Sequence, residues 1–291
     1  MISPLAHVDP TAKLGKDVIV HPFAFIGKNV EIGDNCTIYP FVSILNGARI
    51  GNRNKIYNGA IIAAEPQDFR WKGEQSYCYI GDDCSIREHT IINRGISPEG
   101  GTRIGNKSFI MAESHIAHDS VIGDRVVVGN GAGIAPDCHV ASHTILSSNV
   151  VLHAGSEIGE WVLIKGGCRI SGNVPPYVIM AHNPVAYYGV NAFVLRHCKF
   201  SEDTIDDIAK AYRHVYQCDT STFNALRRIE KDIAPSPERD YILKFIREHK
   251  LKIVAAPNHE EIVDSIALLI QKKHRADGIL HGALLFAHKS D

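Results

Sequence analysis

The sequence predicts a β-solenoid, a parallel β-helix of hexapeptide repeats, followed by a small α-helical C-terminal domain. Three observations carry this. An aliphatic residue returns at every sixth position from Ile104 to Ile170, and the same register runs back to Ile2, broken only at Asp68, Glu74 and Pro98. The position two before it is small or β-branched, as at Ala24, Val30, Cys36, Thr90, Ser108 and Ser114. Beyond Asn173-Val174-Pro175-Pro176 the sixfold cadence stops and helical spacing replaces it.

A period of six matches neither the 3.6 of a helix nor the 2 of a half-buried strand. It is the mark of a repeat that must stack to bury its apolar row. Side chains two apart on an extended strand face the same way, so the aliphatic and small slots share the interior. Three hexads make one triangular coil of about 18 residues, and coils stack about 4.8 Å apart. Each buried Ile or Leu contributes roughly 1.5–3 kcal/mol. Glycine often follows the aliphatic residue, as at Gly27, Gly33, Gly51 and Gly105. That pattern reads as a tight turn there.

The coil spans residues 1–174, with excursions at 63–79 and 96–103. The first carries Glu65-Pro66-Gln67-Asp68-Phe69-Arg70-Trp71-Lys72 and the second Ser97-Pro98-Glu99-Gly100-Gly101. Long loops on a repeat scaffold carry function more often than hairpin turns do; a tolerated insertion is the alternative. Residues 175–200, rich in Tyr, Asn and Pro, form a connector. The helical domain covers 201–291. Ser201 caps a helix with Ile205, Ile208, Tyr212 and Val215 on its apolar face, and Glu202 and Asp203 in its first turn. Ser221 opens a second through Leu226, Ile229 and Ile233, and Ser236-Pro237 a third through Ile242 and Ile246. Asn258 with Glu261 has the form of a capping box before Ile262, Ile266 and Leu269. The tail over 256–291 receives no role.

Composition narrows the class. A chain of 291 residues, formal net charge −1 and 45% hydrophobic content has no global attraction to nucleic acid or to a membrane. No signal pattern opens the chain, and no apolar run reaches the length of a membrane span. Of seven cysteines, Cys36, Cys78, Cys84, Cys138 and Cys168 fall in the small inward slot and read as compact core residues. No Cys-x-x-Cys pair is present, which argues against structural zinc and for a reducing, cytoplasmic compartment.

A closed coil has a dry, inert interior, so chemistry belongs outside it or in loops. The informative cluster is His115-Ile116-Ala117-His118-Asp119. Ile116 points inward, and His118, two beyond, falls at an outward turn position. Imidazole suits a general base at neutral pH, and Asp119 is placed to fix its tautomer or stabilise the imidazolium. A plain surface histidine is the alternative. His153 lies almost two coils further on, about 10 Å along the axis, near enough to line one cleft and too far to share a metal. No nucleophilic Ser or Cys sits beside either in a recognisable motif, which favours direct transfer over a covalent intermediate.

Residues 1 to 255 resemble the UDP-N-acetylglucosamine O-acyltransferase family, which begins lipid A synthesis in Gram-negative bacteria. The resemblance rests on the hexads, the Pro66-Gln67-Asp68 loop, Ile86-Arg87-Glu88 and Asn93-Arg94-Gly95. It continues through His115 to Asp119, Val174-Pro175-Pro176-Tyr177, Gly189-Val190-Asn191 and the helical C-terminus. It implies a homotrimer of left-handed β-helices with active sites between neighbouring prisms. Its reaction moves an (R)-3-hydroxyacyl chain from acyl carrier protein to the sugar 3-hydroxyl, with no metal and no cofactor. His118 matches the family's general base and Asp119 its orienting partner. His115 and His153 match histidines lining the site. Asp68 matches an acidic residue that binds the sugar nucleotide, with Gln67 beside it, and Asn191 falls in a matching motif on the substrate side. Arg70 replaces a usual lysine, keeping charge with a different donor geometry. Gly166 matches the position that limits acyl length, and glycine there admits a long chain.

Three departures stand out. Pro136, which has no N–H, occupies the position of a glycine amide that serves the thioester oxyanion, so either the loop is shifted or another donor serves. Asp137 replaces a substrate-contacting histidine. His197-Cys198 replaces an arginine pair expected to meet the diphosphate, which either weakens that contact or moves it elsewhere, to Arg196 or Lys199. The helical region carries Lys210, Arg213, Arg227, Arg228, Arg239, Lys244, Arg247 and Lys250, a groove for an acidic carrier protein or, with interspersed Glu and Asp, a salt-balanced surface. The rivals are four. A related N-acyltransferase carries an additional N-terminal uridine-binding domain, whereas here the coil starts at Ile2. A coenzyme A-dependent acetyltransferase fits poorly with Gln67-Asp68 and Gly166. A trimeric zinc carbonic anhydrase would need His115, His118 and His139 on one metal. A non-catalytic scaffold is the last.

Overall fold

The computed structural model describes residues 1–218 and 220–249. The fourth predicted helix, with Asn258, Glu261, Ile262, Ile266 and Leu269, lies outside them, as do Lys250 and the tail. Three sheets of 9, 8 and 10 strands form the faces of a prism, parallel except at one edge of the last. The coil is a left-handed parallel β-helix, against the right-handed rule for parallel crossovers. Register follows the hexads: Phe25 and Ile26 pair with Ser43 and Ile44, and His115 and Ile116 with Gly133 and Ile134. The offset between stacked partners is 18 residues in those coils, 30 across the first excursion (Ala48 to Cys78) and 24 across the second (Cys78 to Thr102). The excursions therefore insert two hexads and one hexad. That keeps the cadence in phase on both sides of them.

The interior is as the pattern predicts. Ile26, Ile38, Ile56, Ile86, Ile110 and Ile116 are fully buried, each stabilising the stack by roughly 1.5–3 kcal/mol. The small slot is buried too, and its polar members find carbonyls in the next coil. Ser108 Oγ donates to Gly123 O at 3.0 Å, Ser120 Oγ to Ala135 O at 3.0 Å and Thr144 Oγ1 to Gly159 O at 2.8 Å. Cys36, Cys78, Cys84, Cys138 and Cys168 are buried as free thiols, and burial pushes Cys78 and Cys84 up to about 12.

One expectation is corrected. The left-handed backbone falls not on the glycine after the aliphatic residue but two residues later, at Asp17 (φ 55°), Phe23 (63°), Asn29 (53°), Asn35 (57°) and Phe41 (63°). The glycines are required by close stacking instead. A Cβ on Gly33 would lie 2.7 Å from the Gly51 carbonyl, and one on Gly105 2.5 Å from the Gly123 carbonyl carbon. Backbone meets backbone at these corners, and only hydrogen fits between them.

The residues read as a connector are ordered structure. Val178–Ala181 joins the 10-stranded sheet in parallel, and Ala186–Val190 returns antiparallel as its edge. Helix α1 (Ala192–His197), α2 (Glu202–Tyr216), α3 (Thr222–Asp232) and α4 (Pro237–Glu248) follow. Ser201, Ser221 and Ser236 cap the last three, each Oγ accepting a backbone N–H at 3.1–3.3 Å. Tyr212 in α2 is wholly buried and its hydroxyl donates to Pro176 O, seating α2 against the end of the coil.

Candidate active site

His118 stands at a corner of the prism, just past the strand His115–Ile116. It is outside the aliphatic core, yet only 1% exposed, because the first excursion folds back over it. Its Nδ1 lies 2.9 Å from Asp119 Oδ2 and its Nε2 3.3 Å from Asp68 Oδ2. A carboxylate only accepts, so Nδ1 carries the proton toward Asp119 and Nε2 keeps the lone pair. Nε2 is buried and makes no hydrogen bond among the described residues; the Asp68 contact is one of proximity without donor geometry. A buried polar atom with no partner is uncommon and costly, and marks a place where an incoming hydroxyl would be welcome.

Asp68 is itself held. Its Oδ1 accepts from the Arg70 backbone N–H at 2.7 Å and from Nε at 3.0 Å, while Oδ2 accepts from Nη2 at 2.8 Å. The Arg70 side chain, then its N–H, hold the Asp68 carboxyl well below the usual carboxylate range. Arg70 also feels the charges of Asp137 and Asp119, so the loop brings Asp68 and Arg70 to the corner of His118, Asp119 and Asp137, five of the predicted site residues. The loop's own anchor is Arg94, 5% exposed, whose Nη1 donates to Ala63 O at 3.1 Å and whose guanidinium lies 5.2 Å over the Trp71 ring.

His115 belongs to the same face. Its Nε2 lies 2.7 Å from Asn93 Oδ1, an acceptor, which assigns the proton to Nε2. Asn93 Nδ2 in turn donates to Glu65 O, linking His115 to the start of the loop. Burial lowers the His115 pKa from the ordinary 6.5. A depressed folded-state value means that the neutral form contributes stability above about pH 6.5, lost as pH falls through the folded value. We expect the melting temperature to drop on acidification below that point. A His115→Gln variant, which keeps a donor for Asn93 but cannot titrate, should lose part of that slope.

The remaining predicted residues are less closely joined. Gln67 is exposed near the loop tip. His153 is exposed, with backbone bonds to Ile170 O and Cys138 Sγ and no side-chain partner among the described residues. Gly166 is exposed, five hexads beyond Pro136, and a Cβ there would meet Ser148 O at 3.1 Å. Asn191 is 1% exposed, and its Nδ2 donates to Trp161 O at 2.9 Å, a bond that ties α1 to the coil. None of its contacts reaches the His118 cluster.

Pro136 is in register: Ile134 pairs with Ile116, Asp137 N–H donates to His118 O and Gly155 N–H to Pro136 O. The corner has not shifted, and residue 136, a proline, offers no N–H there. Arg196 is engaged by Glu202 at 2.8 and 2.9 Å, whereas Lys199 is exposed and makes no ion pair among the described residues. In the helical region Arg239 pairs with Asp240 and Arg247 with Glu230, so part of the basic set is salt-balanced. His139 contacts Glu157 at 3.0 Å on the 8-stranded sheet, a different face from the 9-stranded sheet of His115.

The sequence pattern does not disclose which groups hold Asp119. They are the Ile96 and Gly101 N–H groups of the second excursion, 2.9 Å from Oδ2 and 3.0 Å from Oδ1. The only sequence hint is the pair Gly100-Gly101 beside a proline in the aliphatic slot.

Comparison with known proteins places this architecture. A family described as UDP N-acetylglucosamine O-acyltransferase, domain 2, matches residues 173–254. A six-repeat bacterial transferase hexapeptide family matches 101–136, and a GMPPB C-terminal domain matches 2–104. An acyl-[acyl-carrier-protein]–UDP-N-acetylglucosamine O-acyltransferase of Syntrophobacter fumaroxidans is 35% identical over 87% of this chain and 99% of its own. One from Janthinobacterium sp. is 37% identical over 85% of this chain and 95% of its own. Among solved structures, a UDP-N-acetylglucosamine acyltransferase from Bacteroides fragilis superposes with TM-score 0.86 at 44% identity, over 87% of this chain and all of that one. That from Francisella novicida gives 0.84 at 32%, over 90% and 96%. With near full-length relatives well above 30% identity and the same coil-then-helices architecture, this chain belongs to the UDP-N-acetylglucosamine O-acyltransferase family.

Proposed function

We propose that His118 is the general base of an acyl transfer at this corner. The chain is an acyltransferase of lipid A biosynthesis that moves an acyl group from acyl carrier protein to UDP-N-acetylglucosamine. The observation that carries the proposed mechanism is the buried, unpartnered Nε2 of an imidazole whose Nδ1 is bound to a carboxylate. In our reading the sugar 3-hydroxyl donates to Nε2. As its oxygen attacks the thioester carbonyl carbon, the C–O bond forms and the proton passes to Nε2. The imidazolium is then flanked by Asp119 and Asp68, which stabilises it. Collapse of the tetrahedral intermediate breaks the C–S bond, and the proton returns to the leaving thiolate of the carrier.

Asp68, fixed by Arg70, is proposed to accept from the sugar nucleotide, with Gln67, His115 and Asp137 around it and Lys199 toward the diphosphate. The donor is an (R)-3-hydroxyacyl chain. The active form is a homotrimer with sites between prisms; His153, exposed and without a side-chain partner among the described residues, fits a cleft completed by a neighbouring copy. From its family membership we assign the enzyme to the cytoplasm. No helix among the described residues is long and apolar enough to cross a membrane.

The test is a mass-resolved assay of the purified protein with UDP-N-acetylglucosamine and a ladder of hydroxyacyl carrier proteins. One ester product per turnover, with free carrier thiol released, is expected; no ester product with any donor would overturn the assignment. In the same assay Gly166→Met should shorten the preferred chain. Each methylene that no longer fits should cost about 10–200-fold in kcat/KM, and an unchanged ladder would remove Gly166 from the acyl channel.

A further inference from the structure

The second excursion meets the His118 corner mainly through peptide groups, with one side-chain hydroxyl, that of Thr102. Asp119 sits in the left-handed corner conformation, φ 58°. Each of its oxygens receives one loop N–H, Ile96 to Oδ2 at 2.9 Å and Gly101 to Oδ1 at 3.0 Å, and Oδ2 also faces His118 Nδ1. Its own N–H donates to Thr102 Oγ1 at 3.0 Å, a side chain that is wholly buried. Glycines close around it: a Cβ on Gly95 or on Gly100 would lie 2.6 Å from Oδ1.

We propose that residues 95–101 are a carboxylate cradle, in which Gly100 makes room for Asp119 and Asp119 thereby sets the imidazole of His118 for proton transfer. The inference rests on His118 being the base. Hydrogen bonds to a charged acceptor are short and directional, so two peptide donors fix both the position and the plane of the carboxylate. The imidazole then has one productive orientation, with Nε2 toward the position a hydroxyl would take beside Asp68. Displacement of such a group by about 1 Å costs on the order of 10²-fold in rate. Gly100 is a positioning residue; it touches Asp119, not substrate.

Gly100→Ala tests this cleanly. Gly100 has no left-handed φ, so alanine brings no backbone strain, and its Cβ meets chiefly Asp119 Oδ1 at 2.6 Å, with Ser97 Oγ at 3.4 Å. The expected result is a fall in kcat of about 10–100-fold, with the KM for UDP-N-acetylglucosamine and the melting temperature nearly unchanged. In an Asp119→Asn background the same substitution should cost little more, since both act through one carboxylate. Thr102→Val, which removes only the hydroxyl that receives the Asp119 N–H, should lower kcat several-fold in the same manner, and it carries the test if Gly100→Ala does not fold. Wild-type kcat in both variants, or fully additive losses with Asp119→Asn, would overturn the cradle. Wild-type kcat in His118→Ala would instead remove the reading it rests on.

Discussion

Replacing His118 with alanine is expected to lower kcat by about 10²–10⁴-fold, the usual contribution of a positioned general base. Truncation opens a small space beneath the first excursion and deprives Asp119 Oδ2 of its imidazole partner, though the Ile96 and Gly101 N–H groups still hold that carboxylate. The fold should survive, because the aliphatic row that holds the prism together lies on the other side of the corner. His118→Gln, which retains a donor toward Asp119 but offers no basic nitrogen, should be equally slow and should melt closer to the parent. The measurement is turnover under saturating sugar nucleotide and acyl donor, with melting temperatures alongside. A variant that turns over at the parental rate would remove His118 from the proton path. A slow variant whose KM rises while kcat holds would make it a binding residue instead.

The scaffold was legible because each coil repeats the same physical demand. Every Ile, Val or Leu of the row lies above another, and the slot two before it must stay small, so the constraint is written many times over. The excursions did not blur it, since they insert whole hexads. The chemistry was legible only in part, because a corner position does not announce its use. At the same hexad position as His118, on another corner, Asp34, Asn52, Asp82, Asn106 and Asp124 form a purely structural ladder, each side chain accepting the N–H of the corner one coil below. His118 differs from them only through what folds over it. Asp68 reaches it from the first excursion, and Asp119 beside it is held by the N–H groups of residues 96 and 101; no periodicity links these to 118. Asn191 illustrates the converse. Its motif points toward substrate, while its amide is used within the fold on Trp161 O. The glycines were found at the right positions for the wrong reason, since close stacking and turning both select glycine and sequence alone does not separate them.

The second large effect is expected from a residue that touches neither His118 nor Asp68. Arg94→Met keeps the length of the stem and removes the guanidinium. The Ala63 carbonyl would lose its 3.1 Å donor, the Glu65 carboxylate a partner at 3.4 Å and Trp71 its cation. A hydrogen bond from a charged donor is worth about 1.5–3 kcal/mol, and a partly desolvated cation–π contact about 1–2 kcal/mol. Against these stands the relief of a buried charge whose Nε has no partner among the described residues. A net loss of about 2–3 kcal/mol is therefore expected, drawn mainly from the attachment of the loop. The prism itself, held by its interior row, should unfold at nearly the same temperature, while limited proteolysis within residues 63–79 should accelerate. Because the loop carries both Asp68 and the cover over His118, the KM for UDP-N-acetylglucosamine should rise by about tenfold or more, each tenfold corresponding to about 1.4 kcal/mol. Arg94→Lys retains charge without the planar fork and should fall between the two. Unchanged proteolysis together with an unchanged KM in Arg94→Met would show that the loop holds its place without this anchor, and would separate the burial of His118 from the binding of the sugar.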